Sequence, residues 1–281
     1  MPSKSKAYFP PPGSESAGGS ASLLALRHAI RGIEGRHIEA DAAAAASTLG
    51  LAELDAALGG GLPRALHEIA AASEAESAAA ALFALALVRR AAPSGAILWA
   101  AENMALVESG VPYGPGLDMI GLAPERFVTV AAPHARDVLW AMEEALRCRK
   151  LGAVIGEIRQ EGAVDAVAAR RLALAAHHQT LTLLLRAKPD PRPLAAATRW
   201  VIGAARSAPH PFASPQENGR RELHATGPPV LGVRLVRNRY GPTGAWLLEW
   251  NRVAECFDLA PAHPQPVAGA ASDRPGETAV A

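Results

Sequence analysis

The segment AAASEAESA at residues 70–78 stands where a nucleotide-binding fold would place its phosphate loop. An apolar strand, Leu66–Ala70, precedes it and an amphipathic helix follows it. In the phosphate loop GxxxxGK[ST], glycines let backbone N–H groups wrap the phosphates, lysine neutralises them, and the hydroxyl holds magnesium. This segment has no glycine and no lysine, and Glu74 and Glu76 add negative charge. We therefore expect a helix start capped by Ser73 and its own carboxylates, and not an ATP site.

Two further carboxylates follow predicted strands. Glu102 comes just after the strand Ala96–Ala100, and Glu157 ends the strand Ala153–Ile158. The carboxyl ends of parallel strands are where ligands bind in sheets of this kind. Without the lysine, however, these carboxylates lack the electrostatic clamp that phosphoryl transfer requires. A structural or relict role is the favoured interpretation.

A predicted hairpin near the C-terminus combines arginine with tryptophan. Its strands are Gly232–Arg239 and Ala245–Asn251, on either side of the turn YGPTG. The residues of interest are Arg234, Arg237, Arg239, Trp246 and Trp250. They could hold single-stranded nucleic acid through phosphate pairing and base stacking, and the same residue types dominate protein interfaces. The favoured interpretation is structural: a hairpin at the sheet edge with its tryptophans buried and its arginines in water.

The N-terminal region offers a second candidate surface. A short helix is predicted at Leu23–Gly35, with Leu23, Leu26 and Ile30 on one apolar face. This face could pack on a partner or fold back on its own domain, and the sequence leaves both open.

No metal or other cofactor is predicted. His177 and His178 end a helix, but they have no acidic or cysteine partner at ligand spacing. A histidine at a helix C-terminus also interacts well with the helix dipole, which explains the pair without a metal.

The elements that position these residues alternate along the chain. Further strands are predicted at Arg126–Val130 and Leu181–Leu185, and helices at Arg136–Lys150 and Val164–His178. The strand LTLLL has almost no polar residue, which is typical of a parallel sheet covered on both faces. The fold class predicted is therefore α/β, with a mostly parallel sheet flanked by helices and a C-terminal antiparallel hairpin.

Composition sets the outer limits. Of 281 residues, 49% are hydrophobic and 20% are charged, and the net charge of +1 predicts no general attraction to nucleic acid or anionic membranes. The longest apolar run has 11 residues and only two cysteines are present, so we expect no membrane span and a cytoplasmic protein. The predicted organisation is a disordered tail at 1–20, an N-terminal helical segment at 21–48, a core at 49–255 with a mobile loop at about 206–229, and a disordered tail at 256–281.

The order of parts resembles a known family. LGLAELDAALGGGLPRALHEI at 49–69 resembles the entry to the ATPase core of RecA recombinases, and VRLVRNR at 233–239 is similar to a strand near the end of that core. The degenerate phosphate loop, TRWVIGAARS at 198–207 and RLVRNRYGPTGAWLLEW at 234–250 look most like the ImuA family of RecA-like accessory proteins. The resemblance therefore implies a RecA-like core.

The resemblance also assigns relict positions in the nucleotide site. Laid ungapped on the RecA pattern, Ala71 takes the first glycine position, Glu76 the second, Ser77 the lysine and Ala78 the magnesium hydroxyl. By the same layout, Glu102 matches the glutamate that polarises the attacking water, and Glu157 the magnesium aspartate. Arg237 and Arg239 match a basic pair that reaches the neighbouring subunit's nucleotide in RecA filaments.

The implied function is non-catalytic. The ImuA resemblance implies an adaptor in SOS mutagenesis by translesion synthesis, which binds an ImuB-type inactive Y-family polymerase relative and supports an error-prone C-family polymerase. RecA is a further expected partner, and single-stranded DNA is expected to bind weakly and without sequence preference at most. Two alternatives are a weak DNA-stimulated ATPase, which nucleotide binding would reveal, and a SulA-like cell-division inhibitor, which binding to the division protein would reveal.

Overall fold

One nine-stranded sheet organises the part of the chain that the computed structural model describes, which is residues 46–176, 180–192, 194–208 and 227–260. The strands are β1 Leu66–Ala71, β2 Ala96–Glu102, β3 Phe127–Ala132, β4 Leu151–Ile158, β5 Leu181–Arg186, β6 Thr198–Ala205, β7 Val230–Asn238, β8 Gly244–Asn251 and β9 Cys256–Leu259. The α-helices of these residues are α1 Ala52–Ala57, α2 Ser77–Ala91, α3 Asn103–Ser109, α4 Gly114–Met119, α5 Ala135–Leu146 and α6 Ala166–Ala175.

The strand order is β3-β2-β4-β5-β1-β6-β7-β8-β9. All pairings from β3 to β6 are parallel, and the pairings of β6 with β7, β7 with β8, and β8 with β9 are antiparallel. Every residue of β1 and β5 is buried, because helices or loops cover both faces of the central strands. The carboxyl ends of β1, β2, β4 and β5 therefore meet at one edge, where the candidate site lies.

Two hydrophobic cores lie on opposite faces of the sheet. The first packs α2 against the sheet and centres on Phe83, whose ring lies 5.3 Å from Trp200 and 5.5 Å from Phe257. Tilted aromatic pairs at these centroid distances add stability beyond area burial alone. The second packs α5 and α6 against β2, β4 and β5. There Met142 of α5 lies so close to Gly156 that a side chain at 156 would collide with it.

The predicted fold class is confirmed as α/β, with a mostly parallel sheet flanked by helices and C-terminal antiparallel strands. Strand β6 was not predicted, although its sequence TRWVIGAA is rich in β-branched and aromatic residues. The predicted hairpin forms, but it is not the sheet edge, because β9 pairs with β8 beyond it. Strand β9 also shows that order continues past 255, where a tail was predicted to begin.

Several predictions lie outside the described residues. They are the N-terminal tail at 1–20, the helix Leu23–Gly35, His177 and His178, residues 209–226 of the predicted loop, and 261–281 of the predicted C-terminal tail. Within the described ranges, no helix is both long enough and apolar enough to span a membrane.

Candidate functional site

Several backbone N–H groups of the loop between β1 and α2 are already hydrogen-bonded within the protein. Residues Glu74–Glu76 form a single 3₁₀ turn. The Ala72 N–H donates to the Ile202 carbonyl at 2.7 Å, and the Glu76 N–H donates to the Ser73 carbonyl at 3.0 Å. The Ser77 N–H donates to the Glu74 carbonyl. Since a phosphate nest needs several free N–H groups that converge on one point, this conformation has donors already committed within the protein.

The side chain of Glu76 joins this loop to the neighbouring strand. Its carboxylate accepts from the Ser73 hydroxyl at 3.1 Å and from the Ala204 N–H of β6 at 3.2 Å. The prediction that Ser73 caps the helix start is therefore wrong: its hydroxyl bonds to the Glu76 side chain, and no side chain caps the first turn of α2. The Glu76 carboxylate bonds instead to the backbone of β6, which is distant in sequence, so a local pattern of residues could not predict this contact.

A lysine does reach the loop, but from a different strand end. Lys188, just after β5, places Nζ 3.7 Å from Glu74 Oε1 and also pairs with Glu161. Sequence reasoning missed it because the lysine is more than 100 positions from the loop. With two carboxylates around it, its charge is balanced within the protein.

One cavity between the start of α2 and the ends of β4 and β5 is very small. Its volume is about 10 Å³, and Ser77, Glu157, Arg159 and Arg186 are among its lining residues. This is about the volume that one water molecule requires, and far below that of a triphosphate. Two donors of these arginines, Arg159 Nε and Arg186 Nη1, are buried and have no hydrogen-bond partner among the described residues.

Glu102 has a structural role in this arrangement. It is only 7% exposed, and its carboxylate accepts from the backbone N–H groups of Arg159 and Gln160, at 2.5 and 3.0 Å. Both bonds go to Oε2, and they fix the chain where it leaves β4.

Glu157 is paired with an arginine. It accepts from Trp99 Nε1 at 3.2 Å and lies 3.6 Å from Arg159 Nη2. Burial raises the pKa of the Glu157 carboxyl, and the charge of Arg159 opposes that rise. Arg159 also pairs with Glu108 at 3.1 Å. At this position, which matches the magnesium aspartate of RecA, the positive charge beside the carboxylate is the guanidinium of Arg159.

Of the six relict positions, the structure brings Ser77, Ala78 and Glu157 together along one groove, whereas Ala71 is fully buried at the end of β1. Glu76 faces β6, and Glu102 faces the backbone after β4. The arrangement that the pattern predicts as a nucleotide site is therefore divided among separate internal contacts.

A charged cluster under β1 escaped the sequence reasoning. Glu68 is 1% exposed, and its Oε2 lies 2.5 Å from Arg199 Nε on β6. Arg186 lies 3.4 Å from Asp190 in the same cluster. Burial raises the pKa of the Glu68 carboxyl, with Arg199 and then Arg186 acting against it, while Arg192 lowers the pKa of Asp190. The position of Glu68 inside the apolar strand β1 could have revealed it, because a carboxylate in a buried strand requires a partner.

The hairpin arginines differ in their surroundings. Arg234 and Arg239 are exposed, but Arg237 is half-buried and donates from Nη1 to the Leu194 carbonyl at 2.6 Å. Burial lowers the pKa of Arg237, and Arg239 and Arg199 nearby lower it further. The prediction that all three arginines lie in water is therefore wrong for Arg237, because the loop before β6 folds over it.

The hairpin tryptophans lie on the buried face of the sheet. Trp250 is 4% exposed and packs edge-on against Phe257, with centroids 5.2 Å apart. Trp246 is half-buried against the core under α2. Their rings are thus used for packing, and a base could reach only part of Trp246.

Within the described ranges, no group of three or more histidine, cysteine, aspartate or glutamate residues could hold a metal ion. Cys148 and Cys256 are free thiols.

These features define an α/β protein with a mostly parallel sheet, in which the loop after the first strand is engaged by internal contacts. The chain is 31% identical over 202 residues to protein ImuA of Caulobacter vibrioides strain NA1000 / CB15N, a match that covers 68% of this chain and 77% of the relative. Protein ImuA of Caulobacter vibrioides strain ATCC 19089 / CB 15 gives the same figures. No protein-family model matches the chain. The chain belongs to the ImuA family.

Proposed function

We propose that this chain is a non-catalytic RecA-like adaptor in DNA-damage-induced translesion synthesis. It binds an ImuB-type inactive Y-family polymerase and supports an error-prone C-family polymerase, with RecA as a further partner. Family membership supports the mutagenesis setting, and the chemistry of the loop after β1 supports the absence of catalysis.

The observation that carries the proposal is that the loop at the phosphate-binding position is engaged by internal hydrogen bonds. Three backbone N–H groups of the loop are bonded internally, and the cavity that Ser77 lines together with Arg159 and Arg186 is only about 10 Å³. ATP would have to break these bonds, displace Lys188 from Glu74, and approach Glu74 and Glu76 without a compensating loop lysine. Each of those changes acts against binding.

The test for nucleotide is thermal unfolding with millimolar Mg-ATP. A ligand at 100 times its dissociation constant stabilises by about 2.7 kcal/mol. In a domain of this size, that corresponds to a rise in Tm of about 5–10 °C. We expect a change below about 1 °C. A saturable rise, or DNA-stimulated ATP hydrolysis, would support the alternative of a weak RecA-type ATPase.

The test for the adaptor role is capture of purified ImuB homologue by the full chain. Arg234→Glu with Arg239→Glu reverses two exposed charges on the hairpin and should weaken capture at least tenfold if this surface binds the partner. Arg149→Glu with Arg170→Glu reverses two exposed charges outside the hairpin and is the matched control. Equal capture by both double variants would remove the hairpin from the proposal.

The same capture experiment separates the cell-division alternative. An adaptor of the mutagenesis system retains the ImuB homologue and leaves the tubulin-like division protein in solution. Retention of the division protein without the ImuB homologue would instead support a SulA-like inhibitor.

A further inference from the structure

An apolar groove of about 420 Å³ runs between α2 and the segment that carries α3 and α4. Its wall is mostly hydrophobic and includes Ala81, Leu82, Leu85, Val111, Tyr113 and Leu117. Several side chains at or near it are unusually exposed for their type: Val107 is 80% exposed, Tyr113 73% and Val111 60%. Apolar side chains grouped in this way mark a surface that another segment covers.

The rim of the groove is acidic. Glu108 precedes the lining residue Ser109, and its side chain is 50% exposed. Asp118 is exposed on α4 between the lining residues Leu117 and Ile120. Arg159, next to the lining residue Glu157, is only 15% exposed and already faces Glu157 and Glu108. The occupant that fits is therefore apolar on one side and basic beside it.

The chain enters the described core next to this groove. Gly50 lies so close to Cys256 that a side chain at 50 would collide with it. The adjacent Glu255 pairs with Arg89 near the end of α2 and lies against Gly121. Gly121 directly follows Ile120, which lines the groove. Residue 50 and the end of the groove are therefore connected by a short series of contacts.

The segment before this entry has the required character. Residues 22–36 read SLLALRHAIRGIEGR, with Leu23, Leu26 and Ile30 at helical spacing and with Arg27 and Arg31 beside them. The nine residues 37–45 connect this segment to the described core, and they could span up to about 30 Å at 3.3 Å each. The groove follows α2, which has 15 residues and so is about 22 Å long. The connection is therefore long enough.

We propose that residues 22–36 of the same chain occupy this groove, with the apolar face inward and Arg27 and Arg31 beside Glu108 and Asp118. This intramolecular contact covers the exposed apolar side chains of α3 and α4. It does not depend on the proposed function, because it is a contact of the chain with itself.

Photo-crosslinking in the full chain tests the contact directly. The variant Tyr113→p-benzoylphenylalanine places the reactive group in the groove, and Trp140→p-benzoylphenylalanine is the matched control, since Trp140 is 64% exposed on α5. We expect the first variant to crosslink to 22–36 and the second not to. Crosslinks elsewhere, or equal crosslinks from both variants, would overturn the proposal. An equal mixture of ¹⁵N-labelled and unlabelled chains identifies the source, and mixed-isotope crosslinks would assign the groove to a second copy.

Substitutions in the segment test its two interactions separately. Leu26→Asp with Ile30→Asp should raise amide hydrogen exchange at 78–85 and 109–117 at least tenfold, whereas Val253→Asp, at a residue 97% exposed, should not. Arg27→Glu with Arg31→Glu should lower the crosslink yield from position 113 several-fold. Unchanged exchange or unchanged yield would contradict the proposed contact.

Discussion

The buried histidine of β1 gives a stability prediction that can be worked out in numbers. His67 is 0% exposed, and its Nδ1 lies 2.7 Å from Thr198 Oγ1 while its Nε2 lies 2.8 Å from the Pro63 carbonyl. A carbonyl only accepts, so Nε2 carries the proton and Nδ1 accepts from the Thr198 hydroxyl. That hydroxyl oxygen also accepts from Trp200 Nε1 at 2.6 Å. The neutral ring therefore satisfies every partner.

Protonation of Nδ1 would break this chain of bonds. Burial lowers the pKa of His67 from 6.5 to about 4, although the bond to Pro63 opposes the shift. Because the unfolded state binds the proton more readily, stability is lost as the pH falls from above 6.5 toward 4. At 1.36 kcal/mol per pKa unit, the free energy of unfolding should be about 2.5 kcal/mol lower at pH 4.5 than at pH 7.5 from this residue alone.

Urea unfolding of the wild type and of His67→Gln across that pH range isolates the effect. The buried carboxyls Glu68 and Glu157 have raised pKa values, so they act in the opposite direction: their contribution is lost as the pH rises through the folded pKa. Both proteins contain these carboxyls, and the difference between them reports on the histidine. We expect the stability advantage of the wild type to shrink by about 2.5 kcal/mol toward pH 4.5. If the free energies of unfolding of the two proteins changed with pH in parallel, the proton position and the burial assigned to His67 would be refuted.

Two further outcomes follow from the site. Glu102→Ala leaves two backbone N–H groups without their acceptor, so it should lower the free energy of unfolding in urea titrations by about 2 kcal/mol. The control Glu108→Ala removes the exposed partner of an ion pair and should lower it by less than about 1 kcal/mol. Equal losses in the two variants would contradict the structural role of Glu102. Binding of labelled single-stranded DNA, measured by anisotropy across a salt series, should be no tighter than about 10⁻⁴–10⁻⁶ M, with a log–log slope near 1.4 from the two exposed hairpin arginines; nanomolar, salt-resistant binding would contradict this.

The sequence predicted much of the parallel sheet because its signal is local. Runs such as LTLLL are apolar throughout, and each is a strand buried on both faces. Strand β6 was missed because it begins with the polar residues Thr198 and Arg199 and follows a proline-rich loop. Its place beside β1 also depends on pairing over a long sequence separation. Strand β9 is only four residues long and forms because β8 offers it an edge.

The loss of the phosphate-loop residues could be predicted from their types, but the contacts that replace them could not. Lys188 meets Glu74, and Ala204 meets Glu76, only because β5 and β6 flank β1 in the sheet. The buried pair of Glu68 and Arg199 also depends on strand register. Pairings of this kind are set by tertiary structure, which spacing along the chain does not encode.

Titration calorimetry of the purified full chain with the ImuB homologue, with and without millimolar Mg-ATP, tests the central claim most directly. The adaptor account predicts saturable binding of the ImuB homologue with the same affinity in both conditions. The reason is that the loop after β1 is engaged in internal contacts and does not bind the nucleotide. Binding that appears only with Mg-ATP, or no binding at micromolar concentrations in either condition, would contradict it.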